Sequence, residues 1–385
     1  MQKLRYRVLA LAAVAALLPV SPAAAATPVS LIQSVQEEAD YILSMRLGDG
    51  AIPINDERDK VIPYLANFAA IGLARAYTLL RDTRYSSAAW RWLEWYRQHQ
   101  DPVQGTIPNW IFQGRWIPEG LPDSTDAYAG TFMSAVLATY TATGDLARLQ
   151  GLAGAVELAI VALELTEDDD GLHFARPGWP FKYSMDEAEA YAGLLAGETI
   201  GEILRDGDLA RRAGGAADRL FAAHTKLKDP ATGLYLWAIH DDGTRVTAPL
   251  AWIYPGASAQ VWAVADGFET GPAAAQLMQR VEAAQPVWDR PTFTTQWYDG
   301  HPSCGGQVPC MLPVRYWPRF AMAYLAIGDA RRALKGATNI QSAARLAQRR
   351  YPYTPGEAGQ LIMVFGDPDV MASSVSPVAL PPLPA

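Results

Sequence analysis

The chain is interrupted at a nearly constant interval. "LLRDTRYSSAAWRWL" breaks at Asp82, "TATGDLARL" at Gly144 and Asp145, "LRDGDLARRA" at Gly207 and Asp208, "GFETGPAAAQLM" near Thr270, and "LAIGDARRAL" at Gly328 and Asp329. Successive breaks lie about 63, 63, 62 and 59 residues apart. Each sets Gly, Asp or Thr between two helical patterns, the mark of one helix ending and a new N-cap beginning. A period of this length points to a repeated helical unit that buries its apolar face against its neighbours.

The two helices flanking each break differ in kind. Residues 61–80 ("VIPYLANFAAIGLARAYTLL") and 127–144 ("AYAGTFMSAVLATYTATG") are apolar or small on all sides, as in helices enclosed all round. Residues 84–100 put Tyr85, Ala89, Trp92 and Tyr96 on one stripe, with Arg91, Glu94 and Arg97 elsewhere, and 209–227 behave likewise. The spacing therefore predicts inner and outer helices in alternation. An outer helix at 30–46 is followed by pairs around 61–100, 124–164, 186–227, 255–284 and 317–350, then a short apolar helix at 356–366. That is an all-α chain of twelve helices in six hairpins. Pairing of the last helix with the first closes a ring; an open solenoid is the alternative.

The ends of the chain read differently. "MQKLRYR", the apolar "VLALAAVAALLPV" and the small-residue "SPAAAATP" form the three parts of a secretory signal peptide, with cleavage expected after Ala26. The apolar run is shorter than the ~20 residues of a membrane span. The mature chain is expected to be secreted or periplasmic, with no membrane span and a single domain over 27–366. Removing Lys3, Arg5 and Arg7 takes the net charge from −8 to −11, a poor match to nucleic acid or an anionic membrane. In an oxidising compartment Cys304 and Cys310 of "HPSCGGQVPCM" are expected to form a disulfide. Residues 367–385 read as an extended or disordered tail, and the oligomeric state is open.

Each outer helix is joined to the next inner helix by a long segment: 101–126, 166–187, 228–256 and 288–318. Long ordered loops are usually functional. In a ring all four lie on one face, because all enter inner helices. "GLYLWAIHDDGTRV" alternates around Asp-Gly as a small β-hairpin. These loops hold Trp110, Trp116, Trp179, Trp237, Trp252, Trp288, Trp297 and Trp317. Such rings stack on the apolar faces of sugars, or pack beneath the loops as satellite cores.

Acidic residues gather where inner helices begin. Asp123 and Asp126 open the second; Asp186, Glu187 and Glu189 open the third; Asp49 follows the first helix. Acids at helix N-termini cap free N–H groups, and that explains one per helix. It does not explain three in four residues at 186–189, where Asp186 and Glu189 share a face and repel. Glycoside hydrolysis needs two carboxyl groups in different protonation states, and adjacent inner helices could supply them.

In these features the chain resembles the six-hairpin glycosidase-like proteins, which form an (α/α)6 toroid. "YSMDEAEAYAGLLA" is loosely similar to the unsaturated glucuronyl hydrolase branch, with Asp-Glu where that branch has paired aspartates. The resemblance implies Asp186 as general acid and base and Asp126 as its partner, with Asp123, Glu187 and Glu189 as alternates. The expected substrate is an oligo- or polysaccharide, contacted by Asp49, Trp110, Trp179, Tyr183, Trp237, His240, Trp252, Trp297 and Trp317. No cofactor or metal is expected, although "EDDDG" (167–171) and "HDDG" (240–243) are oxygen-rich turns. The rival activities are a lyase or epimerase using His240 or His301, and carbohydrate binding without catalysis. A nucleotide-binding glycine loop and a Gly-x-Ser-x-Gly nucleophile motif are both missing.

Overall fold

The computed structural model describes residues 30–296 and 310–375, without the side chains of 292–296, 310–314 and 373–375. The expected helices are present. Outer helices are α1 (Leu31–Met45), α3 (Thr83–His99), α5 (Leu146–Thr166), α7 (Gly207–Ala223), α9 (Gly271–Ala284) and α11 (Ala330–Leu346). Inner helices are α2 (Pro63–Leu80), α4 (Thr125–Thr143), α6 (Ser184–Leu204), α8 (Ser258–Ala265), α10 (Pro318–Ala326) and α12 (Pro355–Phe365). A further helix, α13 (Pro368–Val375), packs on α11 and α12, with Asp367 accepting from the Asp369 N–H at 2.9 Å. The expected tail is thus helical over those residues, because an Asp cap and "DVMAS" prolong regular structure beyond residue 366. α5 is long and apolar enough to cross a membrane by composition; here it packs on α3, α4, α6 and α7.

The inner helices close a ring. α2 packs on α4, α4 on α6, α6 on α8, α8 on α10, α10 on α12 and α12 on α2. The open solenoid is therefore excluded, and the fold is the (α/α)6 toroid. α1, from the start of the chain, packs on α12, from its end. The seam is sealed by wholly buried Glu38 on α1, which accepts from Arg349 at 2.7 Å, Tyr353 at 2.7 Å and Gln341 at 2.8 Å. A buried carboxylate with this many donors has its charge compensated.

Two of the inner crossings have no room for a side chain. A Cβ on Gly193 of α6 would stand 2.2 Å from the Cα of Gly130 of α4, and one on Gly72 of α2 would stand 2.4 Å from the Cα of Gly359 of α12. Backbones approach this closely only where no Cβ intervenes. These contacts fix the depth of α6 against α4 and of α12 against α2.

The long connections carry three small antiparallel sheets. β1 (Lys60–Val61), β2 (Asn109–Phe112) and β3 (Trp116–Glu119) form one; β4 (Phe181–Tyr183), β5 (Ala238–His240) and β6 (Arg245–Val246) another; β7 (Thr292–Gln296) pairs with β8 (Cys310–Arg315). The hairpin expected around Asp-Gly is β5–β6.

Candidate active site

All six inner helices begin at one end of the ring, and together they wall a cavity of about 580 Å³. Its lining comes from Tyr64 at the start of α2, Ser124 and Tyr128 at α4, Asp186 and Glu189 at α6, Trp262 on α8, Trp317 and Arg319 at α10, and Glu357 and Gln360 at α12. Asp123, Arg176, Trp179, Tyr183, Tyr254 and Tyr316 reach it from the loops. The volume falls within the ~300–1,000 Å³ usual for small-molecule sites. Among the described residues its carboxylates are Asp123, Asp186, Glu189 and Glu357.

The expected acid cluster converges, but its members have different surroundings. Asp186 stands in the cavity wall and is only partly buried. Desolvation, opposed by the Ser124 hydroxyl and reinforced by Asp123 and Glu187, pushes its carboxyl up to about 7. Ser124 Oγ lies 2.5 Å from Asp186 Oδ2 and 3.0 Å from Asp126 Oδ1. Asp126 itself is fully buried and does not reach the cavity, so the expectation that it touches substrate beside Asp186 is corrected. The first turn of α4 points it into the α4–α6 interface instead. Burial first, then the charges of Asp186 and Glu187, hold it well above the usual carboxylate range.

Glu187 and Glu189 also separate. Glu187 is fully buried and accepts from the His173 backbone N–H and from His173 Nδ1 at 2.9 Å. It fastens the 166–183 loop to α6 and is not in the cavity wall. Glu189 is in the wall, where its Oε1 accepts from Tyr64 at 2.7 Å, Trp262 at 2.9 Å and Arg319 at 3.3 Å. Arg319 also pairs with Asp266 and lies over the rings of Phe68 and Trp262. Glu189 is therefore the centre of a buried ionic network. Asp123 is exposed at the cavity edge.

Glu357 was not singled out from the sequence. It belongs to the capping box of α12: its Oε2 accepts from the Thr354 backbone N–H at 2.9 Å and from the Thr354 hydroxyl. Burial raises its proton affinity, while the Thr354 bonds and the charge of Arg315 oppose the rise. The pattern "TPGE" at the start of an inner helix was the available signal. Arg319, a lone charge in the first turn of an apolar inner helix, was another.

The expected aromatic contacts divide. Trp179, Tyr183 and Trp317 line the cavity. Trp179 donates to the Tyr183 hydroxyl at 3.1 Å beneath the Arg176 guanidinium, 4.6 Å from its ring centre. Trp237 is buried behind Tyr183, Trp110 packs against Trp95 and His99, and Trp252 is half-buried; none is in the wall. Trp237 belongs to the buried core and Trp110 packs against it, so neither of them, like Trp252, forms the cavity surface. Asp49 accepts from Ala51 N–H and Trp116 in a turn outside the cavity. His240 is also outside it, its Nδ1 2.6 Å from Asp241 and 3.2 Å from Asp242. In the "EDDDG" turn, Asp168 and Asp170 clasp Lys182. Trp297, His301 and Cys304 lie outside the described residues, and with Cys304 the expected disulfide to Cys310.

No family model and no curated protein matches the chain. Solved structures do. A glycosidase variant in complex with glucose aligns at TM-score 0.61 and 15% identity, over 88% of this chain and 96% of that one. A GH63 mannosylglycerate hydrolase from Thermus thermophilus, in complex with glucose, aligns at 0.61 and 12%, over 88% and 99%. A rhamnosidase from Klebsiella oxytoca with rhamnose bound aligns at 0.57 and 12%, over 88% and 65%. At such identities the agreement is one of architecture, and activity has to be argued from the site. The described chain has the six-hairpin toroid fold of these glycosidases.

Proposed function

We propose that the protein is a glycoside hydrolase acting on a small glycoside or a chain end, with Asp186 as general acid and Glu357 as general base. The observation that carries this reading is the placement of these two carboxyls. α6 and α12 are opposite members of the six-helix ring, and both direct a carboxyl into one cavity. A sugar lying between them would present its leaving oxygen to Asp186 and its other face to a water held by Glu357. That separation of roles across the ring supports inversion, which uses carboxyls ~6.5–9.5 Å apart. Asp186, with its raised proton affinity, stays protonated below neutral pH, as an acid must. Burial raises the proton affinity of Glu357, while the Thr354 bonds, the charge of Arg315 and its place at a helix N-terminus favour its charged form.

The cavity size and the ring of Trp179, Tyr183, Tyr254 and Trp317 support a sugar as substrate. The matched structures add weight, being named a mannosylglycerate hydrolase, a rhamnosidase and a glycosidase with glucose. Lyase and epimerase chemistry draws less support. His240 is outside the cavity, and burial holds the Tyr64 and Tyr128 hydroxyls well above their usual range, so neither is a ready base. Export by the 1–26 segment and the Cys304–Cys310 disulfide belong to the same proposal.

The test is a panel of mono- and disaccharide glycosides, including glycerate-linked sugars, with the first-formed anomer followed by NMR. Hydrolysis with inverted configuration, lost in both Asp186→Asn and Glu357→Gln, is the expected result. Full activity in either variant removes that residue from the pair. An ultraviolet-absorbing unsaturated product would favour the lyase, and binding without turnover a non-catalytic role.

A further inference from the structure

Ser124 stands at the N-cap of α4, yet its side chain makes no capping bond. Its hydroxyl is taken up by two carboxyls instead, 2.5 Å from Asp186 Oδ2 and 3.0 Å from Asp126 Oδ1. A hydroxyl has one hydrogen, so it can donate to only one of them. The other contact requires a proton on the carboxyl side. Asp126 is fully buried and its Oδ2 has no hydrogen-bond partner. An ionised carboxylate in that position would be desolvated with its Oδ2 unpaired, its Oδ1 being held by the Ala127 N–H at 2.8 Å, and that is the costlier arrangement. A neutral Asp126 needs an acceptor for its own proton, and Ser124 Oγ is in reach.

We propose that Asp126 is a positioning residue: its carboxyl proton is donated to Ser124 Oγ, which turns the Ser124 hydrogen onto Asp186 Oδ2 and leaves Asp186 Oδ1 to carry the transferable proton. This deepens, and rests on, the assignment of Asp186 as general acid. Neither Asp126 nor Ser124 exchanges a proton with substrate. They decide which oxygen of Asp186 does, and they do so from inside the α4–α6 contact that Gly130 and Gly193 make possible. The other titratable groups facing Asp186 and Asp126 are Asp123 and Tyr128 at the α4 end and Glu187 and Glu189 on α6, with His173 and Lys182 behind Glu187 and Arg319 behind Glu189. All are retained in the variants below.

The experiment compares kcat and KM against pH for wild type, Ser124→Ala, Ser124→Thr, Asp126→Ala, Asp126→Asn and Asp186→Asn, each checked for folding by thermal melting. Loss of the Ser124 donor removes a bond that favours the Asp186 carboxylate. The alkaline limb of Ser124→Ala should therefore move up by ~0.5 pH unit or more. Its kcat should fall about tenfold or more with KM little changed, as expected when an aligned proton is lost but binding is kept. Ser124→Thr keeps the hydroxyl and should restore both. Asp126→Ala, which leaves Ser124 Oγ without a donor, should lower kcat without shifting KM, whereas Asp126→Asn, whose NH2 can donate to Ser124 Oγ in place of the carboxyl proton, should stay closer to wild type. A Ser124→Ala profile superimposable on wild type, or wild-type kcat in a folded Asp126→Ala, overturns the proposal. Wild-type activity in Asp186→Asn would instead overturn the assignment of the general acid, so the two failures are distinguishable.

Discussion

The starts of the outer and inner helices answer the same physical problem in opposite ways. A helix begins with N–H groups that have no partner inside it. The outer helices α1, α3, α5, α7 and α11 satisfy theirs locally, through the side chains of Ser30, Asp82, Asp145, Asp206 and Asp329. The inner helices α2, α4, α6, α8 and α10 make no side-chain cap bond, and among the inner set only α12 carries a capping box. Their polar side chains are turned toward the shared cavity and toward each other. Local stability is built on the outside of the ring, and the inner helix starts are left free for chemistry. α9 is the exception on the outer side, since Thr270 makes no such bond.

The largest test of this contrast is catalytic. Asp186→Asn and Glu357→Gln should each cut kcat by about 100- to 10,000-fold, the range of a lost acid or base, while Asp145→Ala and Asp329→Ala leave kcat near wild type. A comparable loss in the outer variants would erase the distinction. Next in size is packing. Gly193→Ala and Gly359→Ala should each destabilise the fold by about 1–3 kcal/mol or more, because the added methyl meets backbone. Chemical denaturation measures this, and an unchanged midpoint would mean that the helices can slide apart. Gly207, where an added Cβ meets nothing within 4 Å, is the control position.

A third test uses protons. Folded Asp186 keeps its proton up to a pH of about 7, whereas the unfolded side chain releases it near 3.8. Between those values the folded chain binds more protons than the unfolded one. The Asp186 contribution therefore falls as pH rises through that window. Asp186→Asn should raise the melting temperature at pH 8 and flatten its decline between pH 4 and 7; an unchanged slope would contradict the raised affinity. The smallest expected effect is that of one outer cap. Asp82→Ala should lower the denaturation midpoint slightly through the lost cap, read by the same curve.

The repeat was legible because outer helices carry their own boundary signals. Asp145 and Asp329 cap the helices they were expected to begin, and a left-handed Gly144 ends the helix before it. At the third break the cap is Asp206 rather than the Gly207–Asp208 position, a shift of one or two residues where several acids compete. The acid cluster at 186–189 was legible as an excess over what capping needs. The roles within it were not, since they depend on tertiary neighbours: His173 for Glu187, Arg319 for Glu189 and the cavity itself for Asp186. Glu357 was passed over because ring closure, rather than local pattern, carries it to the side opposite Asp186. Ser124 was passed over for the same reason.

Closure of the seam by Glu38 also sets a timetable. During synthesis the proposed acid emerges roughly midway along the chain, but the proposed base is on α12, close to the end. Until that last inner helix docks against the first, the barrel has an open flank and no competent hollow. If Glu357 is the base, a nascent or truncated polypeptide lacking α12 would be catalytically silent, and the molecule would act only once it had been made almost in full.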